Sequence, residues 1–199
     1  MFIAKPFGIV DDTINDIGSI LKDSVRKLPW VKNVKPPTIP IGKSLAEVLE
    51  PFKDKIKAIY PGTFWCGDGN IAKNSEELGF FNETDACCRA HDTCVGGIPA
   101  HEGRHGLWNN GLFTRSPCSC DYEFYHCLKD ANNIIAFKIG STYFNVLRPQ
   151  CFQEDYPVTG CKKRSTKPLT GNKCEEYEFD FNGEQKVQWF DNPDFVHIL

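Results

Sequence analysis

Residues Asp85-Ala-Cys-Cys-Arg-Ala-His-Asp-Thr-Cys94 combine paired cysteines with a histidine and an aspartate at helical spacing. On a helix of 3.6 residues per turn, neighbouring side chains point about 100° apart. Cys87 and Cys88 must therefore bond to two different elements. Asp92 lies four residues after Cys88 and shares its face, whereas His91 lies four residues after Cys87. The stretch predicts a helix that is cross-linked on two sides and carries an imidazole beside a carboxylate.

Two long helices are predicted around this motif. The first is expected to begin at a capping residue, Thr84 or Asp85, and to end near Val95, because two glycines follow. The second is expected to begin near Asp121 and to continue to about Phe137, since apolar residues recur there at helical spacing.

The C-terminal part of the chain alternates in the manner of β-strands. Apolar and acidic residues alternate over residues 177–181, and apolar residues alternate again over 187–189, after Asn182-Gly183. This pattern predicts a small β-hairpin, and a three-residue loop keeps the apolar side chains on one face.

Ten cysteines lie after residue 65, and they predict five disulfide bonds. Such density is typical of proteins from oxidising compartments, which indicates secretion. Structural zinc usually takes its ligands from paired Cys-x-x-Cys units, which this spacing does not offer. The cysteines are at positions 66, 87, 88, 94, 118, 120, 127, 151, 161 and 174.

The N-terminal 58 residues differ from the remainder in composition. They contain no cysteine and carry 10 Lys/Arg against 7 Asp/Glu, whereas residues 59–199 carry 13 against 19. Amphipathic helices are predicted over 11–28 and 44–57, with a proline-rich linker at 36–40. We therefore expect two parts, a pro-segment or accessory arm at 1–58 and a cysteine-rich domain at 59–199. The apolar helix faces of the arm must be buried against that domain, in a lipid surface or in a protein partner. No basic excess indicates nucleic acid, and no apolar stretch is long enough to span a bilayer.

The spacing of the cysteines also suggests a site for a hard cation. If Cys88 bonds Cys66, the carbonyl groups of the glycine-rich stretch 67–69 are brought against the carboxylate of Asp92. Backbone and carboxylate oxygens suit calcium and not zinc. If Cys94 bonds Cys120, Asp121 comes to lie beside His91 and can hold it as a base.

The chain from about residue 59 to 190 resembles the group III, bee-venom-type secreted phospholipases A2. The motif Cys-Cys-x-x-His-Asp-x-Cys together with a Trp-Cys-Gly-x-Gly loop is specific, whereas the C-terminal pieces alone are weak. The matching stretches are Tyr60-Pro-Gly-Thr-Phe-Trp-Cys-Gly-Asp-Gly-Asn70, Thr84-Asp-Ala-Cys-Cys-Arg-Ala-His-Asp-Thr-Cys94, Cys118-Ser-Cys-Asp121, Tyr143-Phe-Asn145, Pro157-Val-Thr-Gly-Cys161 and Gln188-Trp-Phe-Asp191.

This resemblance implies a disulfide-rich α+β fold, with two long helices that carry the active site, a glycine-rich calcium loop and a small C-terminal hairpin region. His91 would be the base, Asp121 would orient it, and the Tyr143 hydroxyl would support Asp121. The implied ligands of Ca²⁺ are the backbone oxygens of Trp65, Gly67 and Gly69 and the side chain of Asp92. The implied disulfides are Cys66–Cys88, Cys87–Cys127, Cys94–Cys120, Cys118–Cys151 and Cys161–Cys174.

The implied activity is calcium-dependent hydrolysis of the sn-2 ester of glycerophospholipids, by a secreted protein bound peripherally to a phospholipid surface. No Gly-x-Ser-x-Gly sequence occurs in the chain, which disfavours an acyl-enzyme lipase. The alternative is a toxin or receptor ligand of the same fold without turnover. Residues Asn82-Glu-Thr84 form a sequon, which makes the protein a candidate glycoprotein.

Overall fold

The computed structural model describes residues 59–165 and 173–196, and they form a disulfide-rich α+β fold. The helices predicted over 11–28 and 44–57 and the proline-rich linker lie outside the described residues. The elements, in chain order, are α1 (Asn82–Asp92), β1 (Gly103–Arg104), β2 (Leu107–Trp108), α2 (Cys118–Ala131), α3 (Ile134–Gly140), a π-helix (Ser141–Leu147), β3 (Gln150–Asp155), β4 (Val158–Arg164), β5 (Cys174–Phe179) and β6 (Lys186–Asp191). Within these ranges, no helix has the length and apolar character needed to cross a membrane.

Helix α1 begins earlier than the sequence predicts. Phe81 occupies the N-cap position and makes no side-chain capping bond. Thr84 and Asp85 instead lie fully buried in the first turn, where each side chain binds a distant part of the chain. The prediction of a Thr84 or Asp85 cap was wrong, because these polar groups serve tertiary contacts.

The second predicted helix is divided into two. Helix α2 ends at Ala131, and its C-cap residue Asn132 adopts a left-handed conformation with φ 43°. Asn133 then caps α3, since its Oδ1 atom accepts hydrogen bonds from the backbone of Ile135 and Ala136 at 3.0 and 2.9 Å. Apolar periodicity alone could not locate this break, because α2 and α3 both bury apolar residues in the same core.

The C-terminal strands form two antiparallel pairs, β3 with β6 and β4 with β5. The predicted hairpin between residues 177–181 and 187–189 was therefore wrong: each of the two strands pairs with an earlier one. Alternation identifies a strand but does not select its partner. The Cys161–Cys174 disulfide joins β4 to β5, and Cys118–Cys151 joins β3 to the beginning of α2.

Five disulfide bonds hold the helices, strands and loops together, and they match the pairing implied by the resemblance. As the helix geometry requires, the adjacent cysteines of α1 bond to different elements: Cys87 to α2 and Cys88 to the glycine-rich loop. Their sulfur atoms belong to one buried cluster with Phe124, Leu128 and other residues. The cross-links are Cys66–Cys88, Cys87–Cys127, Cys94–Cys120, Cys118–Cys151 and Cys161–Cys174.

Candidate active site

A histidine and a buried aspartate meet between α1 and α2. His91 Nε2 lies 2.7 Å from Asp121 Oδ1, and the Asp121 side chain is fully buried. The Cys94–Cys120 disulfide supports this pair, since Cys94 follows the end of α1 by two residues and Cys120 directly precedes Asp121 in the first turn of α2. The Asp121 carboxylate can only accept from Nε2–H, so Nδ1 is the ring nitrogen left to accept a proton.

Aromatic residues fix the plane of the imidazole. Its ring stacks on Phe124 with a centroid distance of 4.5 Å, and the Tyr143 ring meets its edge at 5.2 Å. The Tyr143 hydroxyl donates to Asp121 Oδ1 at 3.0 Å. Burial and the neighbouring Asp121 carboxylate raise the pKa of Tyr143 well above its ordinary value, so the hydroxyl keeps its proton and remains a donor.

The glycine-rich loop is held against α1 by a disulfide and a carboxylate. The Cys66–Cys88 bond places loop and helix backbones 5.1 Å apart at their Cα atoms. The Asp85 carboxylate accepts from the backbone amides of Phe64 and Trp65, at 2.9 and 2.8 Å. Sequence reasoning took Asp85 for a helix cap and so missed its role in fixing the loop.

Asp92 is the last residue of α1, and its carboxyl group is the charged member of the implied calcium site. The pKa of Asp92 is raised from 3.8 to about 7, chiefly by desolvation; His91 lowers it, and the carboxylates of Asp68 and Asp85 add smaller increases. The residue is also exposed to solvent, and screening by water makes the rise smaller.

The residues of this loop fit a calcium ion by their chemistry. Trp65, Gly67 and Gly69 alternate along the loop, and Gly69 has a left-handed φ of 78°, which favours glycine. Their carbonyl oxygens with one carboxylate make a hard-oxygen set. Among the described residues, no three His, Cys, Asp or Glu side chains cluster as metal ligands, and this donor set requires only Asp92.

One neighbour of the pair, Asn192, was not found by sequence reasoning. Its Nδ2 atom donates to Asp121 Oδ2 at 2.5 Å. The residue follows the Gln188-Trp-Phe-Asp191 stretch directly, but nothing in the pattern indicated that its side chain reaches α2. Ser116 was missed too, and its Oγ atom lies 3.4 Å from His91 Nε2.

The chain is similar to known proteins over this region. A family model described as Phospholipase A2 matches residues 59–155. The phospholipase A2 of Bombus pensylvanicus is 53% identical over 134 residues, which are 67% of this chain and 96% of that protein. The chain belongs to the phospholipase A2 family. The phospholipase A2 of Bombus terrestris is 48% identical with the same coverage, and that of Apis mellifera is 44% identical over 68% of this chain and 78% of that protein.

Membership of the family identifies the protein as an enzyme that hydrolyses phospholipid esters. The relatives among bees and bumblebees make it a member of the group III, bee-venom-type phospholipases A2, as the sequence motifs predict.

Proposed function

We propose that the protein is a secreted phospholipase A2 that cleaves the sn-2 ester of glycerophospholipids and requires calcium. The observation that carries the proposal is the 2.7 Å contact between His91 Nε2 and Asp121 Oδ1. It leaves an oriented base one residue from Asp92, the only side chain of the proposed metal site. The products are a fatty acid and a lysophospholipid.

In this mechanism, His91 removes a proton from water through Nδ1 as the water oxygen bonds to the ester carbonyl carbon. The bond from that carbon to the glycerol oxygen then breaks, and protonated His91 returns the proton to the departing oxygen of the lysophospholipid. Asp121 keeps the imidazole in the required tautomer and stabilises its positive charge as the proton is taken up. Tyr143 donates to the same carboxylate oxygen and restricts its rotation. The Gly67 amide is the proposed donor to the negative charge that develops on the carbonyl oxygen.

Calcium is assigned to the backbone oxygens of Trp65, Gly67 and Gly69 and to the side chain of Asp92. When bound, the ion supplies positive charge that polarises the ester and attracts the phosphate of the substrate. The disulfide and hydrogen bonds that hold the loop against α1 support this assignment, because they order the carbonyl groups before the metal arrives.

A peripheral position at a phospholipid surface is supported by exposed apolar side chains beside the loop. Ile71 and Phe80, between the loop and α1, are 63% and 87% exposed. Electrostatic attraction to an anionic lipid surface should contribute less than these apolar contacts, since residues 59–199 are net acidic. The lysines at 162 and 163 already lie 2.9 and 2.8 Å from glutamates of β5. We therefore expect modest salt dependence on anionic vesicles.

Residues 1–58 are proposed to be a pro-segment or accessory arm that is dispensable for the chemistry. Their opposite net charge and lack of cysteine support this division. The test compares the rate of phospholipid hydrolysis by the full chain with that by residues 59–199 on the same vesicles. A truncated protein that is folded but inactive would contradict the proposal.

The experiment that tests the function uses phosphatidylcholine vesicles with a labelled sn-2 fatty acid and the full chain. Release of the sn-2 label with calcium, and none after addition of a chelator, is the expected result. A matched substrate labelled at sn-1 serves as the control. Release of the sn-1 label, or release that persists in the chelator, would contradict the proposed specificity or the calcium requirement.

A further inference from the structure

The two oxygens of the Asp121 carboxylate have different partners. Oδ1 accepts from His91 and Tyr143, at 2.7 and 3.0 Å. Oδ2 accepts from Asn192 Nδ2 at 2.5 Å. A carboxylate that accepts from both sides in a fully buried position has its rotation restricted by all three donors.

The Asn192 side chain is itself held in one orientation. Its Nδ2 atom also donates to the Pro149 carbonyl at 3.0 Å, and the residue is only 5% exposed. Both partners can only accept hydrogen bonds, so the NH₂ group and not the amide oxygen must face them. The two amide protons therefore have one acceptor each.

The backbone on both sides of Asn192 is also fixed. Asp191, the residue before it, pairs with Gln150 in the antiparallel β3–β6 ladder. Beyond it, the backbone amides of Phe195 and Val196 donate to Asn145 Oδ1, both at 3.0 Å. The side-chain amide of Asn192 therefore reaches Asp121 from a stretch of backbone that is hydrogen-bonded on both sides.

We propose that Asn192 is a positioning residue for the reaction, which holds the Asp121 carboxylate so that Oδ1 faces His91. This inference rests on the proposed function, in which His91 is the base. Without the Asn192 donor, a buried carboxylate oxygen loses its partner, and the carboxyl group can rotate away from the imidazole. We expect the effect on turnover and not on calcium binding, because the Asn192 side chain donates its hydrogen bonds to Asp121 and to the Pro149 carbonyl.

The test is Asn192→Leu in the full chain, since leucine has a similar size and no donor. We expect kcat on phosphatidylcholine vesicles to fall about tenfold, as for outer partners of other sites, while KM and the dissociation constant for calcium change less than about twofold. A folded variant with unchanged kcat, or with a change confined to KM, would overturn the proposal.

A matched control is Asn109→Leu. Asn109 is also fully buried, and its Nδ2 atom donates to the Ile98 and Phe113 carbonyls at 2.8 and 2.9 Å, away from Asp121. This variant should unfold at lower urea concentration and retain kcat in its folded state. An equal fall of kcat in both variants would show a general effect of losing a buried amide and would contradict the inference.

A double-mutant cycle shows whether Asn192 acts through Asp121. In an Asp121→Asn background, Asn192→Leu should change kcat less than about twofold, because the carboxylate that it orients is already absent. The same tenfold loss in both backgrounds would overturn the proposed route.

A measurement that needs no turnover separates this inference from the proposed function. The His91 Nε2 proton, hydrogen-bonded to a carboxylate, should give a downfield proton resonance that Asn192→Leu shifts or broadens. An unchanged resonance would sink the inference even for an active enzyme. A wild-type protein that shows the expected resonance but hydrolyses no phospholipid would sink the proposed function instead.

Discussion

The backbone amide of Trp65 donates a 2.8 Å hydrogen bond to Asp85 Oδ1 and so ties the proposed calcium loop to the first turn of α1. The other oxygen of the same carboxylate accepts from Phe64 and Gly79 at 2.9 and 2.8 Å. One buried side chain thus satisfies three backbone donors that no regular element pairs. The loop owes its shape to a contact about 20 residues along the chain as much as to its glycines.

Asp85→Ala is expected to loosen the loop. The variant leaves buried amide groups without an acceptor, which should lower the free energy of unfolding by about 1–3 kcal/mol or more. Calcium affinity should fall as well, because the Trp65 carbonyl lies in the released segment. Urea denaturation and calcium titration measure the two effects. Glu76→Gln, which changes an exposed carboxylate near the loop, is the control, and equal effects in both variants would contradict a special role for Asp85.

His91→Gln should abolish hydrolysis and leave calcium binding nearly intact, since the base is lost and the metal ligands remain. General base catalysis typically contributes about 10²–10⁴-fold to a rate, so we expect the kcat of this variant to fall by at least that factor. His126→Gln is the control, because His126 is exposed on α2. Appreciable turnover by the His91 variant would refute its assignment as the base.

Asp92→Asn should act mainly on calcium affinity and less on His91, because it removes the only charge among the proposed ligands. With one carboxylate and three carbonyl groups, the dissociation constant of the wild-type protein should be on the order of 10⁻⁴ to 10⁻³ M. Isothermal titration calorimetry measures both proteins. A submicromolar constant, or an unchanged constant in the variant, is incompatible with this ligand set.

Tyr177 should make stability depend on pH in the alkaline range. Its hydroxyl group binds Asp191, and burial raises its pKa from 10.0 to about 12. The folded state therefore retains the proton while the unfolded chain loses it, so the stabilisation is complete below pH 10 and disappears as the pH rises to about 12. In urea denaturation, the free energy of unfolding of the wild type should exceed that of Tyr177→Phe by more at pH 9 than at pH 12. A difference that stays constant over this range would contradict the prediction.

The sequon at Asn82 should be glycosylated only before α1 folds. Asn82 is exposed, but Thr84 is fully buried and its hydroxyl donates to Asn133 Oδ1 at 3.1 Å, so a transferase cannot reach the threonine in the folded protein. Protein secreted by eukaryotic cells should lose mass on glycosidase treatment, whereas Asn82→Gln should not. Refolded bacterial protein should remain unmodified when it is exposed to the transferase. Unchanged mass of the secreted wild type would argue against glycosylation.

Local spacing was sufficient for the helix that carries His91 and for the divergent directions of Cys87 and Cys88. The reason is that a helix relates neighbouring residues by a constant rotation, so their faces follow from the sequence alone. The motifs likewise identified the family, because their cysteine and glycine spacings rarely occur together by chance. The roles of His91 and Asp92 remain predictions.

Contacts between distant segments were beyond such reasoning. The pairing of β5 and β6 with earlier strands, the binding of the loop by Asp85 and the approach of Asn192 to Asp121 all join residues far apart in sequence. Alternation and propensity describe each segment by itself, whereas a partner is selected by which surfaces can be buried together and which polar groups can be satisfied there. The spacing of 71 residues between Asp121 and Asn192 carries no local signal, and only the packed fold brings the amide to the carboxylate.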